Sequence, residues 1–188
     1  MKDSISKIIG DYGEYIFVKR LQCLSEYEKS IHSYNVMKNI KEEKHYFDLF
    51  IQKWTINNGI KEIDNSITKI DIKTYKPFDD NYQTGINEHH WIEYNQIPEL
   101  LIIFIDPLNN CMYGDYIYNM TGSTIECRTG KKTIFYLSDL KPLNHFFHLL
   151  KNELTEKEIK NFKYLYNIKG AYTRIDYIEI RNKLKIHF

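Results

Sequence analysis

The segment KIDIKTY, residues 69–75, carries an acid and an amine two positions apart, Asp71 and Lys73. Their alternation with Ile70 and Ile72 predicts a β-strand, in which residues two apart project from the same face. The isoleucines would then face a core, while the acid and the amine lie side by side on the opposite surface. Two interpretations follow: an ordinary solvated charge pair, or a metal-binding carboxylate beside a catalytic lysine.

A second acid, Asp48, occurs in YFDLFI, where alternation predicts that it shares a strand face with Tyr46 and Phe50. Burying a charged acid among aromatic rings is costly without a partner. Asp71 follows 23 residues later, close enough for a hairpin to bring the two acids together. Converging carboxylates repel each other unless a cation intervenes, and Mg²⁺ with its oxygen ligands would serve. Lys73 would then orient or activate a water, or stabilise charge developing on a phosphate.

A third acid, Glu14, lies in a helical pattern on the same face as Phe17 and Leu21. That face is directed at the core, so an inward-pointing glutamate needs a partner. The nearby Gly10 and Gly13 carry no side chains and leave room for a ligand backbone or a metal-bound water.

The elements that must position these residues follow from hydrophobic periodicity and turn signals. A turn at NNG, residues 57–59, predicts a hairpin between the strands of Asp48 and Asp71. Strands are predicted over 45–53, 54–56, 66–75, 100–105, 112–120 and 131–137, and helices over 4–24, 86–96, 142–153 and 156–168, while 177–188 is ambiguous. With no repeat or linker, the expectation is one α/β domain over 1–188, with a core at about 5–106 and a C-terminal helical and strand extension at 107–188.

A helix acid, a strand acid and then Asp71-Ile72-Lys73 on the next strand resemble the PD-(D/E)XK nuclease superfamily, which includes restriction endonucleases and Holliday-junction resolvases. GDYGEYIFVKRL is similar to the opening helix of resolvase-like members. The resemblance implies a restriction-endonuclease-like fold, a central mixed β-sheet flanked by helices. It implies that Asp48 and Asp71 bind Mg²⁺, for which Mn²⁺ would substitute, with the Ile72 carbonyl a further ligand. Lys73 would be the catalytic lysine, and Glu14 would hold the metal directly or through water.

The chain departs from this pattern in having Phe47 where the motif has proline before the first acid, and in a longer hairpin between the two strand acids.

Weaker candidates are His89 and His90 in NEHHWIEY, on the helix that would follow the lysine strand. They or Tyr94 would contact a phosphate, although a place on the helix surface explains them as well. His145 and His148 have spacing that suits a metal but no third ligand. Phosphate-binding loops of the GxxxxGK[ST] and GxGxxG types and a GxSxG elbow do not occur in the sequence.

Composition excludes few partners. The net charge is +1, but residues from Lys151 onward carry nine basic against five acidic side chains, which suits either phosphate binding or solvated helix faces. Three scattered cysteines without a CxxC motif predict reduced thiols and a cytoplasmic location. The longest apolar run, LLIIFI, is far shorter than the about 20 residues of a membrane span.

Two functions therefore stand open. The first is a Mg²⁺-dependent deoxyribonuclease, an endonuclease of restriction, defence or recombination type that acts on DNA as a homodimer. The alternative is a non-catalytic nuclease-like or other α/β module that binds protein or nucleic acid.

Overall fold

The structure, a computed structural model, describes residues 5–27, 32–38, 47–74, 83–127, 130–170 and 177–186. Its α-helices are α1 (Ile5–Tyr27), α2 (Glu88–Tyr94), α3 (Glu156–Gly170) and α4 (Tyr177–Leu184). Its strands are β1 (His32–Lys38), β2 (Leu49–Asn57), β3 (Ile60–Thr74), β4 (Gln83–Asn87), β5 (Leu100–Asp106), β6 (Cys111–Tyr116), β7 (Ser123–Cys127), β8 (Gly130–Tyr136) and β9 (Lys141–Pro142).

The central sheet has six strands in the order β1-β2-β3-β5-β6-β9. The long hairpin of β2 and β3 turns at Asn58 and Gly59, both with positive φ, as the NNG signal predicts. β3 then pairs in parallel with β5, and the remaining described pairs of this sheet are antiparallel. The expectation of an α/β fold with a central mixed sheet flanked by helices is confirmed.

A separate hydrophobic core lies on each face of the central sheet. On one face Ile70, Ile72 and Ile103 pack in one hydrophobic cluster with α1, α3 and α4. On the other face, Leu100, Ile102 and Phe104 pack with α2 and with a smaller sheet of order β4-β8-β7. β5 is therefore buried from Leu100 to Asp106, which explains its continuous apolar run. The neighbouring strand β3 likewise has one face toward the cluster around α1 and the other toward the cluster around α2.

Several predicted elements differ from the structure. The strand predicted from residue 45 begins at Leu49, and residues 45 and 46 lie outside the described residues. Strands β1, β4 and β7 were not predicted, and the helix predicted from residue 86 begins at Glu88. Residues 112–120 form β6 followed by a single 3-10 turn, and the ambiguous C-terminal segment contains α4.

The helix predicted over 142–153 is wrong. This segment begins at the second residue of β9 and continues with a 3-10 turn at Leu143–His145 and further turns. Leu149 has a φ of 64°, which an α-helix does not accommodate, and the Leu143 N–H donates to the Asn152 side chain across the segment at 3.1 Å. Phe147 and Leu150 are nevertheless buried, so the apolar spacing serves a folded loop as well as it would serve a helix.

In the described part of the chain, no helix combines the length and the apolar character needed to cross a lipid bilayer.

Candidate active site

Strand β3 presents Asp71 and Lys73 on the face opposite its core isoleucines. Ile70 and Ile72 belong to the cluster around α1, whereas Asp71 lies in register with Ile102, on the side of α2. Asp71 is only 3% exposed, although an ionised carboxylate is costly to bury. The alternation expected from the sequence therefore holds, but the acid faces a covered surface and not open solvent.

The Lys73 ammonium compensates the buried acid directly. Its Nζ lies 2.6 Å from Oδ2 of Asp71, and the Lys73 side chain retains 21% exposure. The same ammonium lies 5.3 Å from the ring centroid of Tyr94, a cation–π distance. Tyr94 is the buried end of α2, and its hydroxyl is close enough to the Asp71 carboxylate to oppose, together with Lys73, the rise in the pKa of that acid caused by burial. The buried Tyr94 ring thus covers one side of the pair, and of the two charged residues only Lys73 keeps partial contact with solvent.

Asp48 is fixed to β3 immediately beside this pair. It precedes β2, and its backbone N–H donates to the Ile70 carbonyl at 2.9 Å. Its Oδ2 accepts the Ile72 N–H at 2.8 Å. Asp48 therefore binds the two residues that flank Asp71 in sequence. Asp48 lies in a bend immediately before β2, and not within a continuous strand as expected. The neighbouring Phe47 packs against Phe50 with ring centroids 4.8 Å apart.

Glu14 approaches from α1, which covers the other face of the sheet, and it is partly buried. Burial is the main cause that raises the pKa of Asp71, and the Glu14 carboxylate is close enough to raise it slightly further. The preceding Gly13 allows the helix to come close, because a Cβ there would overlap the Thr74 hydroxyl at the end of β3 and lie 3.3 Å from Ile105. The room left by Gly13 thus serves close helix–strand packing.

The charges of the site act on one another through pKa shifts. Burial alone would lower the pKa of Lys73, but the Asp71 carboxylate, the Tyr94 hydroxyl and the Asp48 carboxylate outweigh it and hold that pKa well above the usual value. Lys73 is consequently an ammonium at neutral pH. Burial also lowers the pKa of His90, with a further contribution from the Lys73 charge.

The two histidines border the site without entering the acid–amine pair. His89 is exposed, and His90 is partly buried, with its ring stacked 5.8 Å from Tyr94. Nδ1 of His90 lies 3.4 Å from the Glu93 carboxylate. His145 and His148 are exposed in the turns after β9.

Carboxylates are the side chains that this site offers to a metal ion. Mg²⁺ commonly takes one or two carboxylates and completes its octahedron with water and substrate phosphate oxygens. Asp48 and Asp71 are two such carboxylates that act on the same ammonium. Over the described ranges, no group of three or more His, Cys, Asp and Glu side chains is arranged to hold a metal. An ion at this position would therefore be held by the two acids and by water, and not by an all-protein cage.

Comparisons with known proteins add little to this geometry. No protein-family model matches the chain, and no curated protein is similar to it. Among solved structures, the chain is similar to a nuclease from a fusselovirus, with a TM-score of 0.45 and 10% sequence identity over 82% of this chain and 94% of that chain.

The sequence predicts that a phosphate is contacted by His89, His90 or Tyr94. Of these three, Tyr94 is buried, with its ring centroid 5.3 Å from Nζ of Lys73, so it packs against the acid–amine pair. Tyr94 follows His90 by four residues, so both side chains lie on one side of α2. That spacing is a signal in the sequence from which this side of α2 could have been predicted to face Lys73.

Proposed function

We propose that the protein is a metal-dependent deoxyribonuclease of the PD-(D/E)XK type, an endonuclease that hydrolyses DNA phosphodiesters. The observation that carries this proposal is the ammonium of Lys73, in contact with Asp71 and within electrostatic reach of Asp48. A charge pair on an ordinary solvated face would not need a carboxylate that is 3% exposed. This burial favours a built site over a surface ion pair.

Each residue then has a distinct task. Asp48 and Asp71 would hold Mg²⁺, with the Ile72 carbonyl and a water on Glu14 as additional oxygen donors. The ion, when bound, would acidify a water and neutralise phosphate charge. Lys73 is held protonated, so it is unsuited to accept a proton. Its N–H groups instead donate to a phosphate oxygen or to the attacking water and stabilise negative charge in the transition state.

The reaction is a hydrolysis with a simple balance. The oxygen of a water forms a bond to phosphorus, and the bond from phosphorus to one deoxyribose oxygen breaks. The water loses a proton to solvent, and the leaving oxygen gains one. A homodimer would cut both strands, in a restriction, defence or recombination role.

The test is cleavage of supercoiled plasmid, linear duplex, single-stranded and branched DNA with Mg²⁺ or Mn²⁺. We expect the wild type to cut at least one form, and Lys73→Met and Asp71→Asn to lose at least about 100-fold in rate, as when a transition-state donor is removed. The matched controls are Lys61→Met and Asp64→Asn, which change the same residue types at the exposed end of β3.

The double variant Asp71→Asn/Lys73→Met separates loss of chemistry from loss of folding. It removes both charges at once, which is often close to neutral for the stability of a buried pair. It should therefore fold and be inactive. Wild-type cleavage rates in this folded double variant would refute the assignment, whereas DNA binding without cleavage by the wild type under all conditions would favour the non-catalytic module.

A further inference from the structure

A concave site lies among α1, α3 and α4, on the face of the central sheet opposite Asp71. The cavity has a volume of about 360 Å³, within the usual range for small-molecule sites. Its walls include Tyr12 and Lys19 of α1, Asn161 of α3, and Lys183 of α4. None of these residues takes part in the proposed nuclease chemistry.

The cavity has a strong excess of positive charge. Four lysines contribute to its lining, Lys19, Lys157, Lys183 and Lys185. Among the described residues, none of the four is joined to a carboxylate in an ion pair. All four lysines are exposed, and their combined positive charge would attract an anion into the cavity.

The acidic side chain in the lining is already engaged. Glu158 forms an ion pair with Arg20, and its Oε2 accepts the backbone N–H of Thr155 at 2.6 Å. The Thr155 hydroxyl accepts the Glu158 N–H in return, which makes a reciprocal cap for α3. The carboxylate therefore stabilises the helix start and the α1–α3 contact. Lys19 lies 5.7 Å from the centre of the Tyr15 ring and Lys183 lies 4.0 Å from that of Tyr164, and neither contact neutralises the ammonium charge.

A buried hydroxyl in the wall adds a directional donor. Tyr12 is 3% exposed, and its oxygen accepts a hydrogen bond from Nδ2 of Asn161 at 2.6 Å. Burial raises the pKa of Tyr12 to about 12, so the hydroxyl keeps its proton at neutral pH. A protonated oxygen that accepts from Asn161 can donate to an acceptor inside the cavity.

We propose that this cavity binds phosphate groups through Lys19, Lys157, Lys183, Lys185 and the Tyr12 hydroxyl. Four ammonium groups match a ligand with two or more phosphate charges, carried either by a small phosphate compound of nucleotide size or by the backbone of DNA. The site is defined by its own residues and does not depend on the proposed nuclease activity.

The test is calorimetric titration with inorganic pyrophosphate at low ionic strength, in EDTA so that no divalent metal is present. We expect saturable one-to-one binding by the wild type and at least a tenfold weaker affinity in Lys19→Gln/Lys183→Gln. The control Lys61→Gln/Lys131→Gln removes the same net charge from exposed strand positions and should bind as the wild type does. Tyr12→Phe keeps the ring and should weaken binding several-fold.

A competition arm identifies the source of the phosphate. If a 20-nucleotide single strand or the matching duplex displaces pyrophosphate, and the cavity double variant loses DNA affinity while the control does not, the DNA backbone occupies the cavity. If DNA leaves pyrophosphate binding unchanged, the ligand is a free phosphate compound. Equal affinity of the cavity and control variants for pyrophosphate, or no saturable binding by the wild type, would overturn the proposal. Because the pyrophosphate titration is made in EDTA, failure of the nuclease assignment would leave this result intact.

Discussion

Nζ of Lys73 lies 2.6 Å from the carboxylate of Asp71, and the acid has almost no contact with solvent. Removing one member of such a buried pair leaves an uncompensated charge, which is more damaging than removing both.

We therefore expect Lys73→Met to lower the free energy of unfolding by about 3 kcal/mol at pH 7, and Asp71→Asn/Lys73→Met to lower it by much less. Urea unfolding in a double-mutant cycle measures the difference. Additive effects of the two single substitutions would mean that the charges do not interact.

The pH dependence of Lys73→Met provides a further check with a defined sign. Burial raises the pKa of Asp71, and loss of the ammonium removes its main opposing interaction. In this variant the folded state binds a proton more readily than the unfolded state, so stability is highest below the unfolded pKa and is lost as pH rises through the folded pKa. The destabilisation relative to wild type should shrink when unfolding is repeated at progressively lower pH. A constant difference between pH 7 and pH 4 would contradict the assignment.

The pKa of His90 provides an independent test of where the Lys73 ammonium lies. Its pKa is lowered first by burial and then by the charge of Lys73. We expect an NMR titration of the wild type to place His90 below its usual value, and the titration of Lys73→Met to move it upward. His90→Gln in parallel spectra assigns the resonance. An unchanged midpoint in Lys73→Met would mean that the ammonium lies outside the electrostatic reach of the ring.

Gly10 and Gly13 form a matched pair three residues apart in α1. A methyl group at residue 10 meets no atom within 4 Å, so Gly10→Ala should stabilise the protein by about 0.5–1 kcal/mol through helix propensity. A methyl group at residue 13 would overlap the Thr74 hydroxyl, so Gly13→Ala should destabilise by about 1–3 kcal/mol. Thermal unfolding compares the two.

Thr74→Ala removes the obstructing hydroxyl and should recover part of the loss in Gly13→Ala. Equal effects of alanine at residues 10 and 13 would show that α1 is not pressed against β3.

Asp48 combines a structural hydrogen bond with its proposed metal role, and substitution can separate them. Asp48→Asn retains an oxygen that accepts the Ile72 N–H, so stability should change little while activity falls. Asp48→Ala loses the acceptor as well and should cost about 1–3 kcal/mol of folding free energy. Unfolding and plasmid cleavage, measured on both variants, give the separation. Full activity in a folded Asp48→Asn would exclude a metal role for this carboxylate.

The sequence allowed a reliable prediction where local pattern and burial coincide. The unbroken run from Leu100 to Ile105 is a central strand covered on both faces, and the alternation around Asp71 gives the correct face because β3 is regular there. The long apolar stripe of α1 likewise packs on one core. In these elements each side chain has the environment that its spacing indicates.

Prediction failed where tertiary contacts determine the element. Strand β4 contains a single aliphatic residue, Ile86, and owes its burial to pairing with β8 and packing of α2. Strand β1 is polar in composition and exists as the edge partner of β2. The cover that Tyr94 provides for Asp71 likewise depends on how α2 meets the sheet, which periodicity within one helix does not specify.

Strand β3 runs from an exposed hairpin tip at Ile60 to a buried end near Ile72. Because burial increases along the strand, we expect the rate of amide hydrogen exchange to decrease in the same direction. Amides near the tip should exchange through local fraying, and those of the buried end through larger openings of the protein. The Ile72 amide is distinctive, because its hydrogen bond ends on the Asp48 carboxylate. Its exchange rate, compared with that of its buried neighbours, would reveal whether Asp48 has left β3 to bind something else, without any need to detect the bound species.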